Sequence, residues 1–158
     1  MTANPAVRDL MTLVGRALIA LLFIPAGVSK IVRFDGTVGY ISAGGMPFPE
    51  LAAVVAIAAE LGLGLLLLLG WQARWAALGL ALFVAVLTPV FHPFWSLPAA
   101  QAVIQQQVFF KNLAVLGGLL VLAAFGPGGW SLDGRRGAAG GWSNTPFARR
   151  ALPGPPVK

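Results

Sequence analysis

The sequence contains no cysteine and a single histidine among its 158 residues, and only 10% of the residues are charged. Without cysteine there can be no disulfide, thiol nucleophile or thiolate metal site, and one histidine cannot supply paired axial ligands for a haem. We therefore predict no metal site. Soluble domains carry about 25% charged residues, whereas 58% of this chain is hydrophobic. The composition excludes a water-soluble globule.

The basic residues outnumber the acidic ones, with eleven Lys and Arg against five Asp and Glu. These bases are scattered through apolar sequence, whereas a nucleic-acid-binding domain concentrates them on one face. Binding to nucleic acid is therefore excluded, and the expected partner of most of the surface is the lipid bilayer.

Four windows of the chain are apolar for long enough to cross a membrane, which takes roughly 20 helical residues. They predict an all-α polytopic membrane protein with an antiparallel bundle of four transmembrane helices over residues 10–130. Arg16 interrupts the first window and no cleavage site follows it, which disfavours the alternative of a cleaved signal peptide. The predicted spans are residues 10–32, 50–69, 74–91 and 108–125.

The segments between and beyond these windows are rich in Gly and Pro. Phe34 to Pro49 is predicted to be a loop, and His92 to Gln107 a crossover that holds a short interfacial helix at Ala99 to Gln106. Residues 1–9 form a short N-terminal segment, and residues 131–158 are predicted to be a flexible basic tail.

Both termini are predicted to be cytoplasmic, because cytoplasmic flanks of membrane spans retain Lys and Arg. Two bases, Lys30 and Arg33, flank the spans on one side. Seven flank them on the other side: Arg8, Arg74, Arg135, Arg136, Arg149, Arg150 and Lys158.

Polar and small residues share one face of each predicted span. Charged groups avoid lipid and small residues allow helices to approach closely, so these faces should converge inside the bundle. The faces are Arg16, Ala20, Phe23, Gly27 and Lys30; Ala53, Ala56, Glu60 and Gly64; Ala77, Ala81, Ala85, Thr88 and His92; and Lys111, Ala114, Val115 and Gly118.

The polar side chains on these faces are the candidate ligand-binding residues, although no catalytic residue can be assigned. We expect Glu60 to pair with Arg16, or alternatively with Lys111, and the pair either fixes helix register or forms the floor of a wet site open to the periplasm. Such a site would bind a small polar or anionic molecule or a quinone head group. The candidates are Arg16, Lys30, Glu60, His92, Lys111 and Asn112.

Taken together, several short motifs resemble the DoxX family of small four-helix membrane proteins. The resemblance covers about Leu10 to Asp133. It is carried by Gly15-Arg16, Pro25-Ala26-Gly27, Lys30-Ile31, Gly45, Pro47, Glu60, Gly62, Gly64, Gly70, Phe109-Phe110-Lys111-Asn112-Leu113, Gly126-Pro127-Gly128 and Ser131-Leu132-Asp133.

The resemblance implies a bacterial inner-membrane protein that works beside a redox enzyme and the quinone pool, with a partner subunit supplying any thiol chemistry. No covalent cofactor is expected, quinone is the expected ligand, and self-association into a homo-oligomer is left open. Two alternatives remain: a non-enzymatic scaffold that recruits partners through its helices and its basic end, Ala138 to Lys158, and a small permease.

Overall fold

The computed structural model describes residues 4–140, and all of their regular secondary structure is helical. Four helical segments are long and apolar enough to cross a membrane, which confirms the predicted four-span all-α architecture. These segments are Pro5–Val32, Pro49–Leu69, Ala73–Ser96 and Ala99–Phe125.

The helices follow in the order α1 to α7, with a π-helical turn in the second span and a 3₁₀ turn after the third. The bounds are α1 Pro5–Val32, α2 Phe34–Ala43, α3 Pro49–Ala58, the π turn Ala59–Leu63, α4 Gly64–Leu69, α5 Ala73–Phe91, the 3₁₀ turn Phe94–Ser96, α6 Ala99–Phe125 and α7 Leu132–Gly140.

The first helix begins earlier than the predicted boundary at residue 10. Pro5 occupies the first turn, where its missing N–H is not needed, and the Asn4 side chain accepts a hydrogen bond from Ala6 N at 3.0 Å. Residues 5–9, predicted to precede the bundle, are therefore part of α1.

The predicted loop from Phe34 to Pro49 is wrong over its first ten residues, which form α2. Gly in a helix costs about 1 kcal/mol relative to Ala, and packing against the bundle offsets that cost here. Ile41 is buried, and the ring of Tyr40 stacks on Phe91 with 5.3 Å between centroids.

The predicted interfacial helix and the predicted fourth span are one continuous helix, α6. No Gly or Pro occurs from Ala99 to Leu116, and the run is rich in Ala and Gln, which favour helix. The sequence contains no residue that would end the predicted interfacial helix before the predicted fourth span begins. The helix stops where predicted, at Gly126, which has a φ of 87°.

The helix faces that meet inside the bundle agree with prediction in the first two spans. α1 buries Arg16, Ala20, Phe23 and Gly27, and the second span buries Ala53, Ala56, Glu60, Gly64 and Leu67. In α5, Ala77, Ala81 and Thr88 are buried as predicted, whereas Ala85 is exposed.

The predicted inner face of the fourth span is correct only at Val115, which packs against the core. Lys111, Ala114 and Gly118 are exposed, and the helix instead buries Leu119 and Leu122. These leucines pack on the alanine-rich face of α5 that includes Ala73 and Ala77. The small residues that allow close packing therefore lie on α5, and α6 contributes the large ones.

The flexible tail predicted from residue 131 is not seen over residues 131–140, which are held by the bundle or are helical. Ser131 is buried, and its hydroxyl accepts a hydrogen bond from Gly134 N at 2.9 Å, so that it caps α7. The Asp133 carboxylate accepts from Gln72 N and Ala73 N, both at 2.9 Å, and so caps α5. Residues 141–158 of the predicted tail lie outside the described residues.

Candidate functional site

A cavity of about 260 Å³ lies between the spans at the end of the bundle where α1 finishes. It is bounded by α1, α2, the second span, α5 and α6, and most of its surface is apolar. Its lining residues are Leu22, Phe23, Ala26, Lys30, Thr37, Tyr40, Ile41, Ala56, Glu60, Phe83, Val84, Leu87, Thr88, Phe91, His92, Asn112 and Val115.

One wall of the cavity carries an ion pair between Lys30 and Glu60. Lys30 Nζ lies 2.7 Å from both Glu60 Oε1 and Glu60 Oε2. The Glu60 side chain is 8% exposed and that of Lys30 is 29% exposed. The expectation that Glu60 pairs with Arg16 or Lys111 is therefore wrong, and Lys30 is the more accessible partner of the pair.

Glu60 lies in the π turn, Ala59–Leu63, and α1 packs closely against it. A side chain on Gly27 would place its Cβ 2.7 Å from Leu61 Cγ and 3.2 Å from Glu60 Cβ. Only glycine allows this approach without displacing Leu61. Because Lys30 lies one helical turn after Gly27, the close contact of the two spans also positions Lys30 beside Glu60.

The opposite wall contains a chain of hydrogen bonds between α6 and α5. Asn112 Nδ2 donates to Thr88 Oγ1 at 3.2 Å, and Thr88 Oγ1 donates to Val84 O at 2.6 Å. Thr88 is buried, and its hydroxyl satisfies a helix carbonyl as it receives the Asn112 amide. Asn112 is thus fixed toward α5 and the cavity.

His92 lies at the same wall, where α5 ends. Its Nδ1 lies 2.7 Å from Gln105 Oε1 on α6, which fixes the imidazole ring. Beside it, Tyr40 and Thr37 of α2 complete the lining. The short helix α2 therefore covers one side of the cavity.

Arg16 is fully buried but does not line the cavity. Its Nη1 donates to Leu68 O at 2.9 Å and to Leu67 O at 3.3 Å, and its Nη2 donates to Trp130 O at 2.6 Å. The last carbonyls of a helix have no partner within the helix and carry its negative dipole end. Arg16 supplies a partner for Leu68 O and a second donor to Leu67 O, which already accepts from Gly70 N at 3.1 Å, and it thereby stabilises the end of α4.

Lys111 is exposed and does not line the cavity either. Of the six predicted site residues, the structure brings together Lys30, Glu60, His92 and Asn112. Four polar residues of the site were not predicted as site residues. Thr88 lay on a predicted inner face. Thr37 and Tyr40 lay in a segment interpreted as a loop, and Gln105 lay in one interpreted as an interfacial helix, so no signal in the sequence pointed to these three.

A second cavity, of about 400 Å³, lies on the lipid-facing side of α1 and contacts no ionisable side chain. Val14, Leu18, Leu21 and Leu68 are among its lining residues. It is the apolar alternative to the site between the helices.

Within residues 4–140, four membrane-spanning helices around a mostly apolar cavity define a small polytopic membrane protein with an intramembrane ion pair. The chain belongs to the DoxX family, whose family model matches residues 11–93, a range that includes Lys30, Glu60 and His92. This confirms the family inferred from the motifs.

Two similar proteins are inner membrane proteins of Escherichia coli (strain K12). Inner membrane protein YphA is 34% identical over 130 residues, which cover 82% of this chain and 93% of YphA. Inner membrane protein YqjF is 39% identical over 125 residues, which cover 79% of this chain and 91% of YqjF. The chain is accordingly a DoxX-family inner membrane protein.

A more distant similarity extends to a eukaryote. The Surfeit locus protein 4 homolog of Drosophila melanogaster is 28% identical over 128 residues, which cover 80% of this chain and 41% of that protein. No solved structure matches the chain.

Proposed function

We propose that this protein binds the head group of a quinone in the cavity between its helices, as a membrane subunit of a redox system. The observation that carries the proposal is the Lys30–Glu60 ion pair, which lies in the lining of a mostly apolar cavity and in which the Lys30 side chain is 29% exposed. Ionisable residues within membrane spans are costly and commonly mark functional sites. A quinone head group combines an apolar ring with carbonyl oxygens, which suits both parts of this lining.

The charges of the cavity favour a neutral ligand over an anion. Lys30 and Glu60 neutralise each other at 2.7 Å, and the two other candidate cations, Arg16 and Lys111, do not line the cavity. An anion would therefore meet a carboxylate without an unpaired positive charge to offset it. A neutral quinone therefore fits this site better than a small anion does.

The size of the cavity fits a head group rather than a whole lipid-soluble molecule. Sites for drug-sized ligands occupy about 300–1,000 Å³, and this cavity has about 260 Å³. Phe23, Phe83 and Phe91 supply flat apolar surface for a ring. The isoprenoid tail of a quinone would remain among the lipids of the bilayer.

A partner subunit completes the proposed redox system. The chain has no cysteine, so a thiol that passes electrons to the bound quinone belongs to another protein. We place the cavity on the periplasmic side and both termini in the cytoplasm, on the strength of the distribution of Lys and Arg along the sequence.

Calorimetric titration of the purified protein in lipid nanodiscs with a short-chain ubiquinone tests the proposal. We expect saturable binding that weakens about tenfold or more in Glu60→Gln, because the carboxylate that holds the Lys30 ammonium in place beside the cavity is lost. Glu50→Gln is the matched control, because Glu50 is exposed at the start of the same span. Circular dichroism verifies that each variant is folded.

Either of two results would overturn the proposal: no saturable binding by the wild-type protein, or equal binding by Glu60→Gln and Glu50→Gln. Flux of a solute into proteoliposomes above that of empty vesicles would instead favour the permease alternative.

A further inference from the structure

The polar groups on the α5–α6 wall favour a particular oxidation state of the ligand. An amide oxygen can only accept a hydrogen bond, so the contact between His92 Nδ1 and Gln105 Oε1 requires the proton to be on Nδ1. In the neutral imidazole the other ring nitrogen, Nε2, is then an acceptor. In that form His92, which lines the cavity, can accept a hydrogen bond from a ligand.

Asn112 adds a second acceptor to this wall. One N–H of its Nδ2 is directed to Thr88 Oγ1, whose own proton is donated to Val84 O. Within residues 4–140 no hydrogen bond reaches Asn112 Oδ1. Asn112 thus keeps its carbonyl oxygen and one N–H for a ligand, whereas the Thr88 hydroxyl proton is already committed.

The Lys30–Glu60 wall is similarly mixed. Lys30 Nζ contacts both oxygens of Glu60 and retains one further N–H, while each carboxylate oxygen can accept an additional hydrogen bond. The remaining titratable group of the lining is Tyr40, whose hydroxyl can both donate and accept. Acceptors are therefore present on both walls.

We infer that the cavity recognises hydroxyl groups and so binds the reduced quinol more tightly than the oxidised quinone. This inference rests on the proposed function and specifies the ligand of the same site. A quinol hydroxyl donates to His92 Nε2, Asn112 Oδ1 or Glu60 and also accepts from Lys30. A quinone carbonyl accepts only, and it leaves the acceptors of the cavity without a partner, which is unfavourable in a site shielded from water.

Unpaired acceptors of this kind lead us to expect about tenfold tighter binding of the quinol. A tenfold preference for the two-electron reduced form raises the midpoint potential of the bound couple by about 30 mV. The site would then favour reduction of the quinone and retain the product.

The test compares three short-chain probes by anaerobic calorimetry in nanodiscs: a ubiquinol, the matching ubiquinone and the dimethyl ether of the quinol. The ether keeps the oxygen acceptors but lacks both hydroxyl protons. We expect the quinol to bind about tenfold more tightly than the quinone and the ether. If all three bind equally, or the quinone binds most tightly, the inference fails although the proposed function stands. If none binds, the proposed function itself fails.

The role of His92 is tested by Gln105→Glu. A carboxylate beside Nδ1 stabilises the doubly protonated imidazolium, in which Nε2 becomes a donor, so the preference for quinol should fall toward equal affinity. Gln106→Glu, which adds the same charge at an exposed position one residue further along α6, should leave the preference unchanged. An unchanged preference in Gln105→Glu would overturn the assignment to His92.

Discussion

Arg16 and Glu60 are both charged and buried within the spans, yet their surroundings give them different roles. The Arg16 guanidinium is in contact with three carbonyl oxygens and is remote from the cavity lining. Glu60 contacts a lysine that remains partly exposed to the cavity. Burial alone does not distinguish a structural charge from a charge that can meet a ligand; the partner and the adjoining space do.

Replacement of Arg16 should reduce stability and leave the binding site intact. Arg16→Met deprives Leu67 O, Leu68 O and Trp130 O of a charged donor, at a cost of roughly 3 kcal/mol. For a chain of this size that corresponds to a fall of about 6–12 °C in unfolding temperature. The measurement is thermal unfolding in detergent, followed by a quinone titration well below the transition.

Arg8→Met is the control for this prediction, because the Arg8 side chain is 66% exposed and its loss should change the unfolding temperature little. A normal unfolding temperature for Arg16→Met, or a loss of ligand binding in a folded sample, would contradict the structural role.

Sequence reasoning predicted which side chains are buried better than it predicted their partners. Helical spacing places Arg16 and Glu60 on inner faces, and both are buried. It does not show which helices are neighbours at a given depth, so Lys30 was not identified as the partner of Glu60. For α6 the predicted inner face was correct at Val115, but it also included Lys111, which is exposed, whereas the neighbouring Asn112 lines the cavity. Adjacent residues of a helix point about 100° apart.

At the scale of the elements, the π turn and the glycine opposite it form the contact that positions the ion pair. A π turn inserts one residue into a helix and changes the direction of the side chains around it. The resulting bulge in the second span packs against Gly27 of α1. A Cβ added to Gly27 would lie 2.7 Å from Leu61 Cγ. The position of Glu60 relative to Lys30 therefore depends on how closely the π turn packs against α1.

Gly27→Ala should disturb this fit. The added methyl group forces α1 away from the π turn, with a cost of about 1–3 kcal/mol for overpacking, and weakens quinone binding by displacing Lys30 from Glu60. Gly15→Ala is the matched control in the same helix, because nothing lies within 4 Å of its added Cβ. Unfolding temperature and calorimetric affinity are measured for both variants, and equal behaviour of the two would contradict this account.

The elements that sequence reasoning missed are those whose local signals oppose their final structure. α2 contains Gly36 and Gly39, which argue against a helix, and it forms because Ile41 and Tyr40 pack on the bundle. The π turn has no sequence signal of its own. The start of α6 was assigned to a separate helix because its glutamines are polar, although nothing in the sequence ends a helix there.

For the whole molecule, apolar length alone was sufficient to predict the number of spans and their helical nature. Because the described chain has four spans, the start of the first span and the end of the last lie on the same side of the membrane. That this side is cytoplasmic stays a prediction from the distribution of basic residues. Arg8, Arg74, Arg135 and Arg136 lie at the Arg16 end of the bundle, and the cavity lies at the other.

The central claim is that the ligand binds between the helices and not on the lipid-facing surface. Photolabelling with a short-chain azidoquinone in nanodiscs, followed by mass-spectrometric mapping, tests it most directly. We predict adducts on residues that line the cavity of Lys30 and Glu60, competed by unlabelled ubiquinol and reduced in Ala26→Leu, which fills that cavity, but not in Ala58→Leu at an exposed position. Adducts confined to the apolar surface around Val14, Leu18, Leu21 and Leu68, or adducts that ubiquinol does not compete, would contradict the account.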